Sequence, residues 1–158
     1  MLVTQALVRR DATNTEWARQ RGNVLADLGF ALIDDGSYKD GIAQLDEAIV
    51  AQDDLLARDP KSARYRVDLS RSYTRKGDGL VALGQYETAA DWYRKALDLR
   101  KQLADSDPRS VPYRRSLAFS YAKLATTALL LGNTAGALDD QDHALALRQQ
   151  IVAESPSQ

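Results

Sequence analysis

The sequence predicts an all-α protein: an α-solenoid, wound as a right-handed superhelix, of about three antiparallel helical hairpins. Three observations carry this. Proline occurs four times and glycine nine in 158 residues, and the abundant residues are helix formers, with no β-branched runs. Apolar residues recur at intervals of three and four, as in Leu25, Leu28, Leu32 and in Leu45, Ala48, Ile49, the period of a helix with one buried face. The chain also repeats itself every 48 residues: Pro60, Pro108 and Pro156 keep that spacing, as do Gly36, Gly84 and Gly132, Ala48, Ala96 and Ala144, and the aromatics Trp17, Tyr65 and Tyr113. Self-similarity of this kind marks stacked structural units.

Each unit opens with a good helix N-cap, Asn14, Ser62 or Ser110, whose side chain can accept a hydrogen bond from the first turn. A first helix follows. Gly36, Gly84 or Gly132 ends it where a left-handed residue is needed. A second helix runs to an Asp-Pro or Ser-Pro stop. Each helix spans about 20 residues, or about 30 Å. Small residues Gly41, Ala89 and Ala137 recur in the second helix, and Ala48, Ala96 and Ala144 follow seven later on the same face. Helices must approach closely there. Leu45 and Tyr93 fill the large slot between them, and Gly77 falls at a helix–helix contact.

The units run 13–60, 61–108 and 109–158. Residues 1–12 match the end of a second helix when shifted by one period, so they are expected to be the tail of a preceding repeat, with an N-terminal capping helix as the alternative. A partly covered N-terminal seam would favour homo-oligomers. In the third unit Gln141 stands where Leu45 and Tyr93 stood, and a polar outer helix is how solenoids stop. Residues 134–154 are therefore expected to be a C-terminal cap.

Basic and acidic residues number 21 and 22, giving a net charge of −1, which argues against nucleic-acid binding. No apolar run approaches the roughly 20 residues of a membrane helix, and the N-terminal residues do not read as a signal peptide. The chain has no cysteine, which removes disulfides, thiolate metal sites and cysteine catalysis and fits a cytoplasmic protein.

The motif G-x-Y, then a small residue, a large apolar one and Ala, as in Gly84, Tyr86, Ala89, Tyr93 and Ala96, resembles the second helix of a tetratricopeptide repeat. Tyr73, Gly77 and Leu80 resemble its first helix. The usual unit has 34 residues, so this resembles a long bacterial variant, found as arrays in multidomain regulators. The resemblance covers nearly the whole chain. It implies a non-catalytic protein–protein interaction module, part of a larger regulatory protein, that binds a peptide or helix in a concave groove lined by the first helices. A structural spacer or self-association element is the alternative.

Carried onto this register, the groove holds Asn23, Ala26, Phe30 and Ile33, then Arg71, Thr74, Asp78 and Val81, then Phe119, Ala122, Thr126 and Leu129, with Arg75 and Lys123 beside them. Ala26 and Phe30 stand where chaperone-binding relatives carry carboxylate-clamping residues, which puts that ligand in doubt. Arg71, Arg75 and Lys123 are expected to form a basic patch between apolar Phe30 and Phe119, suited to an acidic partner segment with apolar anchors. Each of these residues could equally be packing or solvated surface.

Other constellations carry little. Asp139, Asp142 and His143 share a helical face but make a poor metal site on one exposed helix. Gly77, Gly79 and Gly84 lack the dinucleotide spacing. The neighbouring pairs Asp34-Asp35 and Asp53-Asp54 diverge. No catalytic, cofactor or metal residues are expected. Trp92 is open: its counterparts are Gln44 and Asp140, so the repeat does not require an aromatic there. It reads either as local packing or as a contact surface.

Overall fold

The N-cap at Asn14 sets the first helix. Its side chain accepts from the Trp17 amide at 3.0 Å, and Ser62 and Ser110 do the same for Tyr65 and Tyr113 at 3.4 Å. The helices so begun are α1 (Thr15–Asp34), α3 (Ala63–Ala82) and α5 (Val111–Leu130). Their partners are α2 (Tyr38–Arg58), α4 (Tyr86–Ser106) and α6 (Thr134–Glu154). A computed structural model describes residues 14–154. The expectations for residues 1–12 and for Pro156 lie outside the described residues.

Each hairpin turns on a glycine with positive φ: Gly36 at 87°, Gly84 at 73° and Gly132 at 75°. The hydrogen bonds are those of a Schellman motif. In the middle hairpin the Gln85 amide donates to the Leu80 carbonyl and the Gly84 amide to the Val81 carbonyl, both at 2.9 Å. Gly36 and Gly132 are framed by the equivalent pairs.

Consecutive helices pack on each other along the chain, and α1 also touches α3. Leu25, Leu45, Leu55, Leu69 and Leu103 are almost fully buried, as are Ala48, Ala96 and Ala144. Small residues set the closest crossings. A Cβ on Gly29 would meet the Gly41 carbonyl oxygen at 2.7 Å, and one on Gly41 would meet the Gly29 oxygen at 2.6 Å. The described residues therefore form an all-α helical-repeat solenoid, with no strand among them.

The third unit differs at its outer surface. Gln141 is exposed, in keeping with a polar helix. Leu138, Leu145 and Val152 are exposed too, at 62%, 47% and 68%. They are seven apart and share one face of α6. One period earlier stand Ala90, Leu97 and Ala104, buried or half-buried where α5 covers α4. The last helix thus keeps apolar residues on the face that a further unit covers elsewhere.

Candidate functional site

A row of cross-helix polar contacts runs along the first helices. The Arg19 Nε donates to the Asp68 carboxylate at 2.7 Å, Arg75 Nη1 to Asp27 at 2.7 Å, and Lys123 Nζ to Asp78 at 2.7 Å. These link α1 to α3 and α3 to α5. Asp27, Arg75 and Lys123 occupy one repeat position: stacking sets the Asp27 carboxylate against Arg75 of the next unit, whereas Lys123 reaches Asp78, one helical turn further along α3 than Arg75.

The two expected apolar anchors lie within this row. Phe30 and Phe119 are 43% and 45% exposed, large for aromatics in a packed array. The Arg75 guanidinium sits 4.7 Å from the Phe30 ring centre, and the Lys123 ammonium 5.4 Å from that of Phe119. Both cations are thereby held over a ring and a carboxylate at once. Arg71 is half exposed and pairs with Asp68 at 3.6 Å. The basic patch foreseen from the sequence is therefore charge-compensated, because each of its three cations stands against an aspartate.

Asn23 and Ile33 serve the packing. The Asn23 carbonyl oxygen accepts from Gln52 Nε2 at 3.1 Å, and its amide donates to Asp68 at 3.4 Å. Ile33 packs on Gly41 and faces Gly79 of α3. Asp78 accepts from the Tyr93 hydroxyl at 2.6 Å as well as from Lys123. Burial, then the Asp78 charge and hydrogen bond, push the Tyr93 hydroxyl far above the usual tyrosine range. Beside this trio lies an open pocket of about 200 Å³, lined by Val81, Thr126, Thr127 and Leu130 together with Asp78, Tyr93 and Lys123.

One charged residue of the region escaped the sequence reading. Arg100, on α4, reaches between α3 and α5, is 7% exposed, and donates to the Ser120 hydroxyl at 2.6 Å, the Thr74 hydroxyl at 3.0 Å and the Ser116 carbonyl at 3.4 Å. All these partners are neutral. Burial lowers its guanidinium to about 10, against the opposing effect of the Asp78 charge. The signal was present: Gln52, Arg100 and Arg148 form a polar series at the 48-residue spacing.

On the other side of the array, Trp92 packs on Tyr73 with ring centres 5.3 Å apart, and the ammonium groups of Lys76 and Lys95 lie 3.9 and 4.0 Å from its ring centre. Lys76 also pairs with Asp46. Trp92 thus packs locally, on side chains of its own hairpin. Among the described residues no group of His, Asp and Glu side chains is arranged to hold a metal ion. His143 stacks on Tyr121 at 4.9 Å.

Two family models, both described as tetratricopeptide repeat, match residues 70–103 and 117–157. Among solved structures, the chain is similar to the crystal structure of the TPR domain of Arabidopsis FLU, with a TM-score of 0.65 at 14% identity over 84% of this chain and 98% of that one. A MamA RS-1 ArsTM double mutant aligns over 94% of this chain and 92% of its own, at 19% identity and a TM-score of 0.35. No curated protein matches. No helix among the described residues is long and apolar enough to cross a membrane. Tetratricopeptide repeats generally mediate protein–protein interactions and are typically non-catalytic. The two matched segments, the paired helices and the shared fold agree: the chain is a tetratricopeptide repeat protein.

Proposed function

We propose that this chain is a non-catalytic interaction module, part of a larger regulatory protein, that holds a partner peptide or helix against the concave face of α1, α3 and α5. The observation that carries it is the half-exposure of Phe30 and Phe119, each beneath a fixed cation. Two large rings left open on one face offer apolar anchorage, while Arg75, Lys123 and the half-exposed Arg71 orient acidic groups of the partner. Because these cations already hold aspartates, most of the affinity comes from the anchors, and salt weakens binding only mildly.

The test is selection of binding peptides from a random display library, followed by affinity measurement on variants. Phe30→Ala with Phe119→Ala should weaken the selected peptides at least tenfold. Arg71→Glu with Arg75→Glu should weaken them too, since it adds negative charge beside Asp27 and Asp68. Arg94→Glu with Lys95→Glu, on α4, should do little. Loss with the α4 pair and retention with the other two would overturn this assignment.

The exposed series Leu138, Leu145 and Val152 favours a second reading, in which the array associates with copies of itself through its last helix. Sedimentation of the protein should then show dimers that Leu145→Glu abolishes. A monomer at all concentrations would remove this reading and leave the first intact.

A further inference from the structure

The two inter-repeat junctions are built on one register but filled differently. At the second junction an open cleft of about 320 Å³ lies between α4, α5 and α6, with Ala90, Leu97, Leu124, Ala128 and Leu131 as its apolar wall and Arg94, Asn133, Gly136 and Asp140 around them. Moved back one period, Asp140 becomes Trp92, Ala90 becomes Ile42 and Gly136 becomes Thr88. Taken from the first junction to the second, every one of these changes removes volume. At the first junction Trp92 and Ile42 both pack against the buried cluster that includes Leu80 and Ala90. The cleft is the corresponding place at the second junction, with the large side chain left out.

The surroundings of the missing ring persist in altered form. Tyr73, which packs against Trp92, has Tyr121 as its counterpart, and Lys95 has His143. Lys76, a cation over the first ring, is replaced by Leu124, which makes the second cleft more apolar. Arg94 lines it and is free to swing, since it is 61% exposed and, among the described residues, pairs only with Asp91 of its own helix. Among the described residues Asp140 takes part in no side-chain hydrogen bond or ion pair, while burial and the neighbouring Asp139 charge raise its carboxyl above the usual range, against His143 and Arg94. A cleft of this size sits at the lower end of the roughly 300–1,000 Å³ typical of ligand sites. It suits one side chain rather than an extended molecule.

From this register comparison we infer that the α4–α5–α6 cleft is a docking site for one aromatic side chain, an indole above all, presented by a partner protein. The ring would lie on Leu97, Leu124 and Ala128 as Trp92 lies in its own junction. Arg94 would supply the cation over its face, and the Asp140 carboxylate would accept from the indole N–H. The site is on the second-helix side and does not use the Phe30 and Phe119 face, so it stands or falls separately from the function proposed above.

The probe is N-acetyl-tryptophanamide, titrated into the full chain and followed by backbone amide shifts. Saturable shifts confined to Ala90, Leu97, Ala128, Gly136 and Asp140 are expected, with a Kd on the order of 1 mM for so small a ligand. N-acetyl-alaninamide should give none. Asp140→Trp, which restores the pattern of the first junction, should weaken the probe at least tenfold and raise the melting temperature. Trp92→Ala should open a second site, reported by Ile42, Ile49 and Thr88. Phe30→Ala with Phe119→Ala should leave the titration unchanged. Shifts that stay linear into the tens of millimolar, or undiminished binding by a folded Asp140→Trp protein, would overturn the inference. The wild-type and Asp140→Trp titrations decide it even if Trp92→Ala does not fold.

Discussion

The ring of Tyr93 occupies the space that a side chain on Gly77 would need: its Cε1 lies 2.5 Å and its Cδ1 2.8 Å from the position of a Cβ there. The pair joins α3 to α4 within one hairpin. Its counterparts are Gly29 with Leu45, where the same Cβ would fall 2.8 Å from Leu45 Cγ, and Ala125 with Gln141 in the third unit. A small residue facing a large one is thus the recurring unit of hairpin packing, and it relaxes only where the large residue turns polar and exposed.

Gly77→Ala should therefore destabilise the protein. Tyr93 cannot swing aside without giving up its bond to Asp78, and overpacking costs about 1–3 kcal/mol, more than the ~1 kcal/mol an alanine gains in helix propensity. Thermal melts check this. In a Tyr93→Leu background the same alanine should cost less, and an equal cost in both backgrounds would show that the ring is not the obstacle.

Gly84→Ala should destabilise for another reason. Nothing lies within 4 Å of a Cβ at Gly84, but φ is +73°. The left-handed conformation alone costs an L-residue about 1–2 kcal/mol. Gly84→Asn should cost less than Gly84→Ala, since asparagine tolerates that region better. The ordering of the two melting temperatures is the readout.

Arg100→Met should leave stability within about 1 kcal/mol of the parent, or raise it, because a buried guanidinium with only neutral partners pays desolvation without an ion pair. The Thr74 hydroxyl keeps its own bond to the Ser70 carbonyl at 2.9 Å. Arg100→Ala, which leaves a void, should cost about 2–5 kcal/mol. Denaturant unfolding of both variants separates lost charge from lost volume.

Alkaline pH should weaken the fold through its tyrosines. Burial first, and then Asp53 and Asp78, hold the Tyr73 and Tyr93 hydroxyls above their ordinary value. A raised folded-state pKa means that the stabilisation is complete below about pH 10, where the unfolded chain begins to ionise, and is lost as pH rises further. Arg100 works the other way: its value falls to about 10 from 12.5, so its burial penalty is full below pH 10 and eases above it. Two tyrosines outweigh one arginine, and the melting temperature should fall above about pH 10. Tyr93→Phe should flatten that fall; an unchanged slope would show that Tyr93 ionisation does not drive it.

The sequence by itself determined the helices, their ends and the repeat. Caps, glycines with positive φ and small-residue series are local or periodic demands, and the chemistry of Asn14, Gly84 and Ala96 states them without reference to anything distant. It also placed Phe30 and Phe119 on one face by register alone. What only the tertiary structure decided was how charges meet across that register. Asp27 and Arg75, or Asp78 and Lys123, lie 48 and 45 residues apart, and each pairing depends on the angle at which one hairpin sits on the next. The same angle sends Arg100 between two helices and leaves a cleft beside Asp140 where Trp92 fills the earlier junction. Periodicity says which positions are equivalent; packing of unequal side chains at those positions says what each one does.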